Sequence, residues 1–511
     1  MTMSSKVSTL CDLLAEGRGT ALALSAPTAA DLSYDGLRQQ ILGTVAALRN
    51  IGVGANDRVA IVLNGGPEMA TSFLAVASVA TAAPLNPGYR TDEFEFYLSD
   101  LKAKVLIVEA ESDSPAVDVA RRLGITILGL CPQPEKGAGC FSLQTSGTSV
   151  VSATSGRQSG PGDVALVLHT SGTTSRPKIV PLSQRNICAS ARNIRQSVSF
   201  TPEDHGLNVM PLFHIHGLIA GVLAPLAAGS SVFCAPGFNA LKFFSWMEQA
   251  HPTWYTAVPT MHQSILTRAR HNAAIIAANP LRFIRSSSSS LAPQIIAELE
   301  ATFGAPVIEA YGMTEAAHQM ASNPLPPRVR KRGTVGPAAG PDIAIMDETG
   351  GLVPAGTTGE IVIRGENVMT AYESNPSANA EAFINGWFRT GDQGFQDPDG
   401  YLSITGRLKE IINRGGEKIS PREIDELLMA HPAVQQAVTF GIPNDALGEE
   451  IGVVVVLREG MEATERELRD FVANRVAKFK VPRRVLIQNE IPKGATGKLQ
   501  RIGLAQKLGL S

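Results

Sequence analysis

The chain has 511 residues, with 47 acidic side chains against 45 basic ones, a net charge of -2 and no long charged block. That balance calls for neither nucleic acid nor an anionic membrane as a partner. At 44% hydrophobic and 18% charged it is a soluble globular composition, long enough for two to four domains at roughly 150 residues each. The cysteines, Cys11, Cys131, Cys140, Cys188 and Cys234, are scattered and never spaced Cys-x-x-Cys. Neither a disulfide framework nor a zinc site is indicated, and a reducing, cytoplasmic setting is expected. Residues 1–17 lack the basic start and apolar core of a signal peptide. The most apolar windows, 70–85 and 217–233, fall short of the roughly 20 residues of a spanning helix. They read as buried helices, without membrane insertion.

In chain order, residues 34–110 alternate in the α/β manner: helix 34–51, strand 58–63, Ala-rich helix 67–82, charged helix 91–101 and strand 104–108. Such alternation implies a parallel, doubly wound sheet. Segment 111–162 weakens into Pro, Ser and Gly, and 164–168 is an apolar run that reads as a buried strand. A helix follows at 184–198, with Ser183 as its N-cap. Strands at 206–210, 253–258, 281–285 and 306–309 then alternate with helices at 218–228, 261–270 and 293–303, enough for a second parallel sheet. From residue 334 short strands (342–346, 359–364, 386–389, 401–405) are separated by Asp-Glu-Thr-Gly-Gly and Asp-Pro-Asp-Gly, which suggests a small antiparallel barrel or sheet. The tail is βαβ-like, with helices 421–430 and 465–476 and strands 437–441, 452–458 and 484–488. A boundary at Lys409 gives domains 1–408 and 409–511.

Directly after the strand at 164–168 comes His169-Thr170-Ser171-Gly172-Thr173-Thr174-Ser175-Arg176-Pro177-Lys178. A strand ending in such a turn exposes backbone N–H and hydroxyl donors beside two cations, a concavity suited to a polyphosphate. It is not a Walker A loop, because Pro177 stands where the second Gly belongs. A polar linker is the alternative. The copy Thr145-Ser146-Gly147-Thr148, with no strand before it and no cation after it, reads as linker.

Glu309-Ala310-Tyr311-Gly312-Met313-Thr314-Glu315 ends another strand, at the edge where open α/β sheets bind ligands. Its ring, hydroxyl and carboxylate suit a base, a phosphate and a hard cation; a strand-to-helix turn with a capping Glu is the plain alternative. Asp392, in Trp387-Phe388-Arg389-Thr390-Gly391-Asp392, could accept hydrogen bonds from two ribose hydroxyls or simply close a turn. Arg407 is a fork donor with the same potential target. Pro492-Lys493-Gly494-Ala495-Thr496-Gly497-Lys498 presents an ammonium on a Gly-flexible loop.

Taken in order, these pieces make the chain, from about residue 10 to 505, resemble the adenylate-forming acyl-CoA synthetase superfamily. The resemblance implies a large N-terminal domain of two doubly wound sheets plus a small β-barrel, then a small mobile α+β C-terminal domain. It implies ATP, Mg²⁺ and coenzyme A. A carboxylate attacks the α-phosphorus to give acyl-AMP and pyrophosphate, and the thiol then displaces AMP, with catalysis by positioning and charge neutralisation. By the same resemblance Lys498 bridges carboxylate and phosphorane, and Thr170, Ser171, Gly172, Thr173, Thr174 and Lys178 hold the β- and γ-phosphates. Glu315 binds Mg²⁺ and Thr314 the α-phosphate. Ser288, Glu309, Ala310, Tyr311 and Gly312 line the adenine pocket, Tyr311 stacking on the base, while Asp392 and Arg407 hold the ribose. The small domain swings about Lys409, and Gly415-Gly416 then faces the pantetheine channel.

Trp254-Tyr255-Thr256-Ala257-Val258-Pro259-Thr260, the serine run 286–290, His318 and Ser322-Asn323-Pro324-Leu325-Pro326 look most like the plant and fungal oxalate–CoA ligases. His214, Thr256, Ser289 and His318 would line a small polar acyl pocket that suits a small dianion. Other short-chain, medium-chain or aromatic acids are the alternatives. Departures from the family are Ile179, where Gly is usual, and the unbroken serine run 286–290, where relatives commonly mix Ser with Gly and Ala; Gly312 departs from the oxalate subgroup, which carries Ala. A silent nucleotide-binding protein is disfavoured because Lys498, Glu315 and Asp392 are all present, and a nucleic-acid ligase because its Lys-x-Asp-Gly nucleophile is missing. A monomer or homodimer is expected.

Overall fold

A computed structural model describes residues 8–145, 157–170, 177–492, 499 and 501–510. Two large sheets carry the N-terminal part. In the first, five parallel strands run in the order Thr126–Pro132, Val105–Glu109, Arg58–Val62, Thr81–Pro84, Val164–Thr170, flanked by antiparallel Phe141–Thr145 and Lys178–Ser183. The second runs His318–Ser322, Val307–Met313, Phe283–Ser286, Trp254–Ala257, His205–Asn208, Ser231–Cys234, Leu22–Ser25, Leu32–Ser33, antiparallel only at its two ends.

Helices Pro67–Val79 and Gln184–Ser197 share one hydrophobic core with strands of both sheets. In Pro67–Val79 twelve of thirteen residues are buried, as befits a helix apolar on every side. Ser183 caps Gln184–Ser197 as expected, accepting from the Asn186 N–H at 3.2 Å.

The expected small antiparallel unit is a five-stranded sheet in which Trp387–Gln396 pairs with Gly359–Arg364, Phe383–Ile384 and Leu402–Arg407. After the single turn Leu408–Glu410, strands from Ile412 onward belong to a separate five-stranded sheet. Here the βαβ expectation needs correction: Val434–Asn444 and Gly448–Leu457 form an antiparallel hairpin, and only Gly448–Leu457, Glu465–Ala473 and Arg484–Ile487 make a parallel crossover.

Other departures have local causes. The Ala-rich helix ends at Val79, and Thr81–Pro84 is a strand between Arg58–Val62 and Val164–Thr170. Alanine favours a helix, but burial inside a sheet decides this segment. Within 111–162 stand a helix, Pro115–Arg122, and strands Thr126–Pro132 and Phe141–Thr145. Lys178–Ser183 is a strand paired antiparallel with Val164–Thr170, with Thr170 opposite Lys178. The predicted helix 218–228 begins at His216 as a π-helix, His216–Leu223, before Ala224–Leu226. Wide turns of that kind are frequent at functional sites.

Candidate active site

The C-terminal ends of three of the second sheet's parallel strands, Trp254–Ala257, Phe283–Ser286 and Val307–Met313, meet the small C-terminal sheet at one cavity of about 640 Å³. Ser288, Glu309, Tyr311, Asp392, Arg407 and Arg501 are among the side chains on its wall. Tyr311 and Asp392, 81 positions apart, come together there: the tyrosine hydroxyl donates to the aspartate carboxylate. Asp392 lies opposite Arg407 in the ladder between Trp387–Gln396 and Leu402–Arg407. Cross-strand partners project on the same face, and Arg407 Nε reaches Asp392 Oδ1 at 3.1 Å. Burial pushes the Asp392 carboxyl up while Arg407 pulls it down; Asp392 in turn raises Arg407. The pair is an anionic acceptor with its cation fixed alongside, suited to a vicinal diol.

The strand Val307–Met313 carries Glu309, Ala310, Tyr311 and Gly312, and the turn Thr314–Ala316 carries Thr314 and Glu315. Gly312 has a steric reason: a Cβ built there would lie 1.6 Å from the His318 carbonyl oxygen. Glu309 is buried, and burial raises its carboxyl to about 8. Glu315 is buried too and accepts a 2.7 Å hydrogen bond from Tyr372 Oη on Oε1. No group of three or more His, Cys, Asp or Glu able to hold a metal exists among the described residues. A lone buried carboxylate fits Mg²⁺ delivered with a nucleotide, whose phosphates and waters supply the other ligands.

Deeper in the sheet lies a cluster that the sequence reading only partly named. His216, buried, receives the Thr256 hydroxyl on Nε2 at 2.7 Å, and its Nδ1 lies 3.0 Å from Ser288 Oγ. Its ring stacks on His318 with centroids 4.8 Å apart. Arg285, 0% exposed, donates to His216 Nε2 (3.3 Å), His318 Nε2 (3.1 Å) and Gln319 Oε1 (3.2 Å). A guanidinium can only donate, so each Nε2 is the acceptor, and both imidazoles carry their proton on Nδ1. Among the described residues no carboxylate pairs with Arg285, and burial lowers its guanidinium to about 9, which leaves it charged at neutral pH.

The histidine bonded to Thr256 and Ser288 is thus His216, not the His214 singled out from sequence; His214 packs its ring on Phe213, centroids 4.5 Å apart. Arg285 was missed as well, although a charge inside the otherwise apolar strand Phe283–Ser286 was a readable signal. Ser289 stands exposed at the cavity rim. Gly415 and Gly416, with φ of +61° and +91°, form the two-residue turn between Ile412–Arg414 and Glu417–Ile419 and are not on the cavity wall. Thr170 and Lys178 are register partners in the antiparallel pair of Val164–Thr170 and Lys178–Ser183. Ser171, Gly172, Thr173, Thr174 and Lys498 lie outside the described residues.

Comparison with known proteins agrees with this geometry. Residues 14–373 match the model of the AMP-binding enzyme family, and residues 423–498 that of the AMP-binding enzyme C-terminal domain. The chain belongs to the AMP-binding enzyme family. Its enzyme class is that of an AMP-forming acid–CoA ligase. An oxalate–CoA ligase of Arabidopsis thaliana is 47% identical over 460 residues, covering 89% of each chain. One from Saccharomyces cerevisiae is 41% identical, covering 89% of this chain and 87% of its own. Among solved structures, ATP-bound MatB from Rhodopseudomonas palustris superposes with a TM-score of 0.87 at 28% identity, over 98% of both chains. The anthranilate CoA ligase AuaEII with anthranoyl-AMP gives 0.85 at 25% identity, over 98% of this chain and 97% of its own.

Proposed function

We propose that this ligase activates oxalate, consuming MgATP and coenzyme A and releasing pyrophosphate, AMP and oxalyl-CoA. The carrying observation is Arg285: a charged group sealed in the protein costs several kcal/mol unless an anion meets it, and among the described residues none does. A monocarboxylate spends its one anionic group in the attack on phosphorus. A dicarboxylate brings a second, which Arg285, His216 and His318 are arranged to receive. The relatives named oxalate–CoA ligases support the same acid.

In this reading one oxalate oxygen attacks the α-phosphorus, the bond to the β-phosphate breaks, and pyrophosphate leaves; the thiol of coenzyme A then attacks the acyl carbon, releasing AMP and a proton. Tyr311 packs against the adenine, Asp392 and Arg407 bind the ribose, and Thr314 contacts the α-phosphate. Thr170 and Lys178, with residues 171–174, hold the outer phosphates, and Lys498 brings positive charge to the reacting oxygens. Glu315 would hold Mg²⁺, which supplies charge neutralisation on the phosphates. His214 and Ser289 border the acyl entrance, and Gly415-Gly416 serves the thiol half-reaction after rotation about Lys409, between domains 1–408 and 409–511. We place the protein in the cytoplasm, in keeping with five free cysteines; no described helix is long and apolar enough to cross a membrane.

Sulfoacetate is a second reading, favoured by the same guanidinium, which receives a sulfonate as readily as a carboxylate; a relative 35% identical is named a sulfoacetate–CoA ligase. The test is acid-dependent exchange of pyrophosphate into ATP with oxalate, malonate, sulfoacetate, acetate, octanoate and benzoate. Oxalate is expected to lead, and Arg285→Met to lower its kcat/KM on the order of 100-fold with KM for ATP unchanged, as befits loss of a charge-assisted contact of about 3 kcal/mol. Exchange with octanoate or benzoate but not oxalate rules the acid out. Exchange with no acid rules out the activity.

A further inference from the structure

Lys178 and Glu315 carry opposite charges on neighbouring elements, and each is assigned a separate partner on the nucleotide. Left to themselves an ammonium and a buried carboxylate close into an ion pair, which would silence both. Among the described residues that pair does not form, because a phenol stands between them. The Tyr372 hydroxyl donates to Glu315 Oε1 at 2.7 Å, and the Lys178 ammonium sits 4.6 Å from the centroid of the same ring. We propose that Tyr372 is a positioning residue that holds the cation on its face and the carboxylate on its hydroxyl, keeping both available to the nucleotide. The proposal rests on the ligase reading above.

The segment around Tyr372 is built to keep the ring in place. Asn379 clamps its backbone from both sides, accepting from the Tyr372 N–H at 2.7 Å and donating to the Tyr372 carbonyl at 2.8 Å. One residue on, the Glu373 N–H donates to the Ile179 carbonyl at 3.1 Å, which fastens the segment to the strand that begins at Lys178, and the Glu373 carboxylate pairs with Arg58. Three residues earlier the Met369 N–H donates to the Glu315 carbonyl at 2.7 Å. The phenol is thus tied to the backbone on the lysine side and on the glutamate side, so its hydroxyl and ring act at fixed distances from both. The hydrogen bond on Oε1 fixes the orientation of the carboxylate that would hold Mg²⁺. Partners that orient a metal-binding carboxylate in this way commonly change metal affinity 10- to 100-fold when removed.

Calorimetric titration of ATP at graded Mg²⁺ concentrations tests this without turnover. Tyr372→Phe keeps the ring and loses the hydroxyl; it is expected to need about tenfold more Mg²⁺ for half-maximal ATP binding while retaining a cooperative fold. Tyr372→Leu removes the ring as well, so Lys178 falls onto Glu315; Lys178→Met should then weaken ATP binding less in that background than in the wild type. A Tyr372→Phe titration that overlays the wild type overturns the proposal, as does strict additivity of the Tyr372→Leu and Lys178→Met losses. Should Tyr372→Leu fail to fold, the Tyr372→Phe titration alone decides. If the wild type shows no Mg²⁺-dependent ATP binding, the ligase reading fails together with the proposal.

Discussion

Among the described residues no carboxylate pairs with the buried Arg285, which leaves its charge to an anionic acid. Burial also holds Glu309 largely protonated at neutral pH, its carboxyl raised to about 8 and only partly relieved by Arg422 and by a hydrogen bond from the Gly333 backbone. Between an ordinary carboxyl value of 4.5 and about 8 the folded protein binds a proton at Glu309 that the unfolded chain has released. Stability therefore falls as pH rises through that window. Glu309→Gln is expected to remove this slope, gaining roughly 3 kcal/mol over the wild type at pH 7 and nothing below pH 4. Melting at pH 4, 6 and 8 checks it: parallel curves for both proteins would show that Glu309 is already ionised in the fold. Single residues were legible where a motif surrounded them, as with Tyr311, Asp392 and Arg407. Arg285 and His216 were not, because their meeting depends on which parallel strand lies beside which, and no local pattern states that order.

The elements best read from sequence are those whose burial has a single period. Pro293–Phe303, apolar on one face, and Asp342–Met346 and Gly359–Arg364, bounded by turn residues, fall where expected. Pro67–Val79 and Thr81–Pro84 are buried on every side, so no periodicity separates them and the boundary was lost. That helix is also the clearest point of mechanical weakness, since it packs against strands of both large sheets. Phe73 in it is 0% exposed. Phe73→Ala should cost about 3–5 kcal/mol, read as a lower denaturant midpoint, while KM for ATP stays near the wild-type value in the fraction that folds. A loss below 1 kcal/mol would mean that the two sheets close over the gap.

Across the whole molecule, the cavity is finished by the small sheet. Leu499 and Arg501, which follow Lys498 in the chain, line it together with Ser288, Tyr311 and Asp392. Arg501 pairs with Asp425 of the helix Pro421–Met429 and, at 3.3 Å, with Glu410, next to Lys409. Gln436 reaches Gln263 of the large domain at 3.2 Å, and Arg422 donates to the Ile404 carbonyl at 2.7 Å. With Leu499 and Arg501 on the same wall as Tyr311 and Asp392, this arrangement suits the proposed first half-reaction. The proposed rotation about Lys409 would break the Gln263–Gln436 contact. Cysteines at those two positions, joined by a short bis-maleimide in a Cys11→Ser background, should leave oxalate-dependent pyrophosphate exchange within about threefold of the unlinked protein and reduce thioester formation at least 100-fold, as expected when a domain motion gates one step. Lys498→Ala should do the reverse, abolishing exchange while sparing thioester formation from supplied oxalyl-AMP. If the cross-link slows both halves equally, the same orientation serves both steps, and Lys409 is a linker without a mechanistic part.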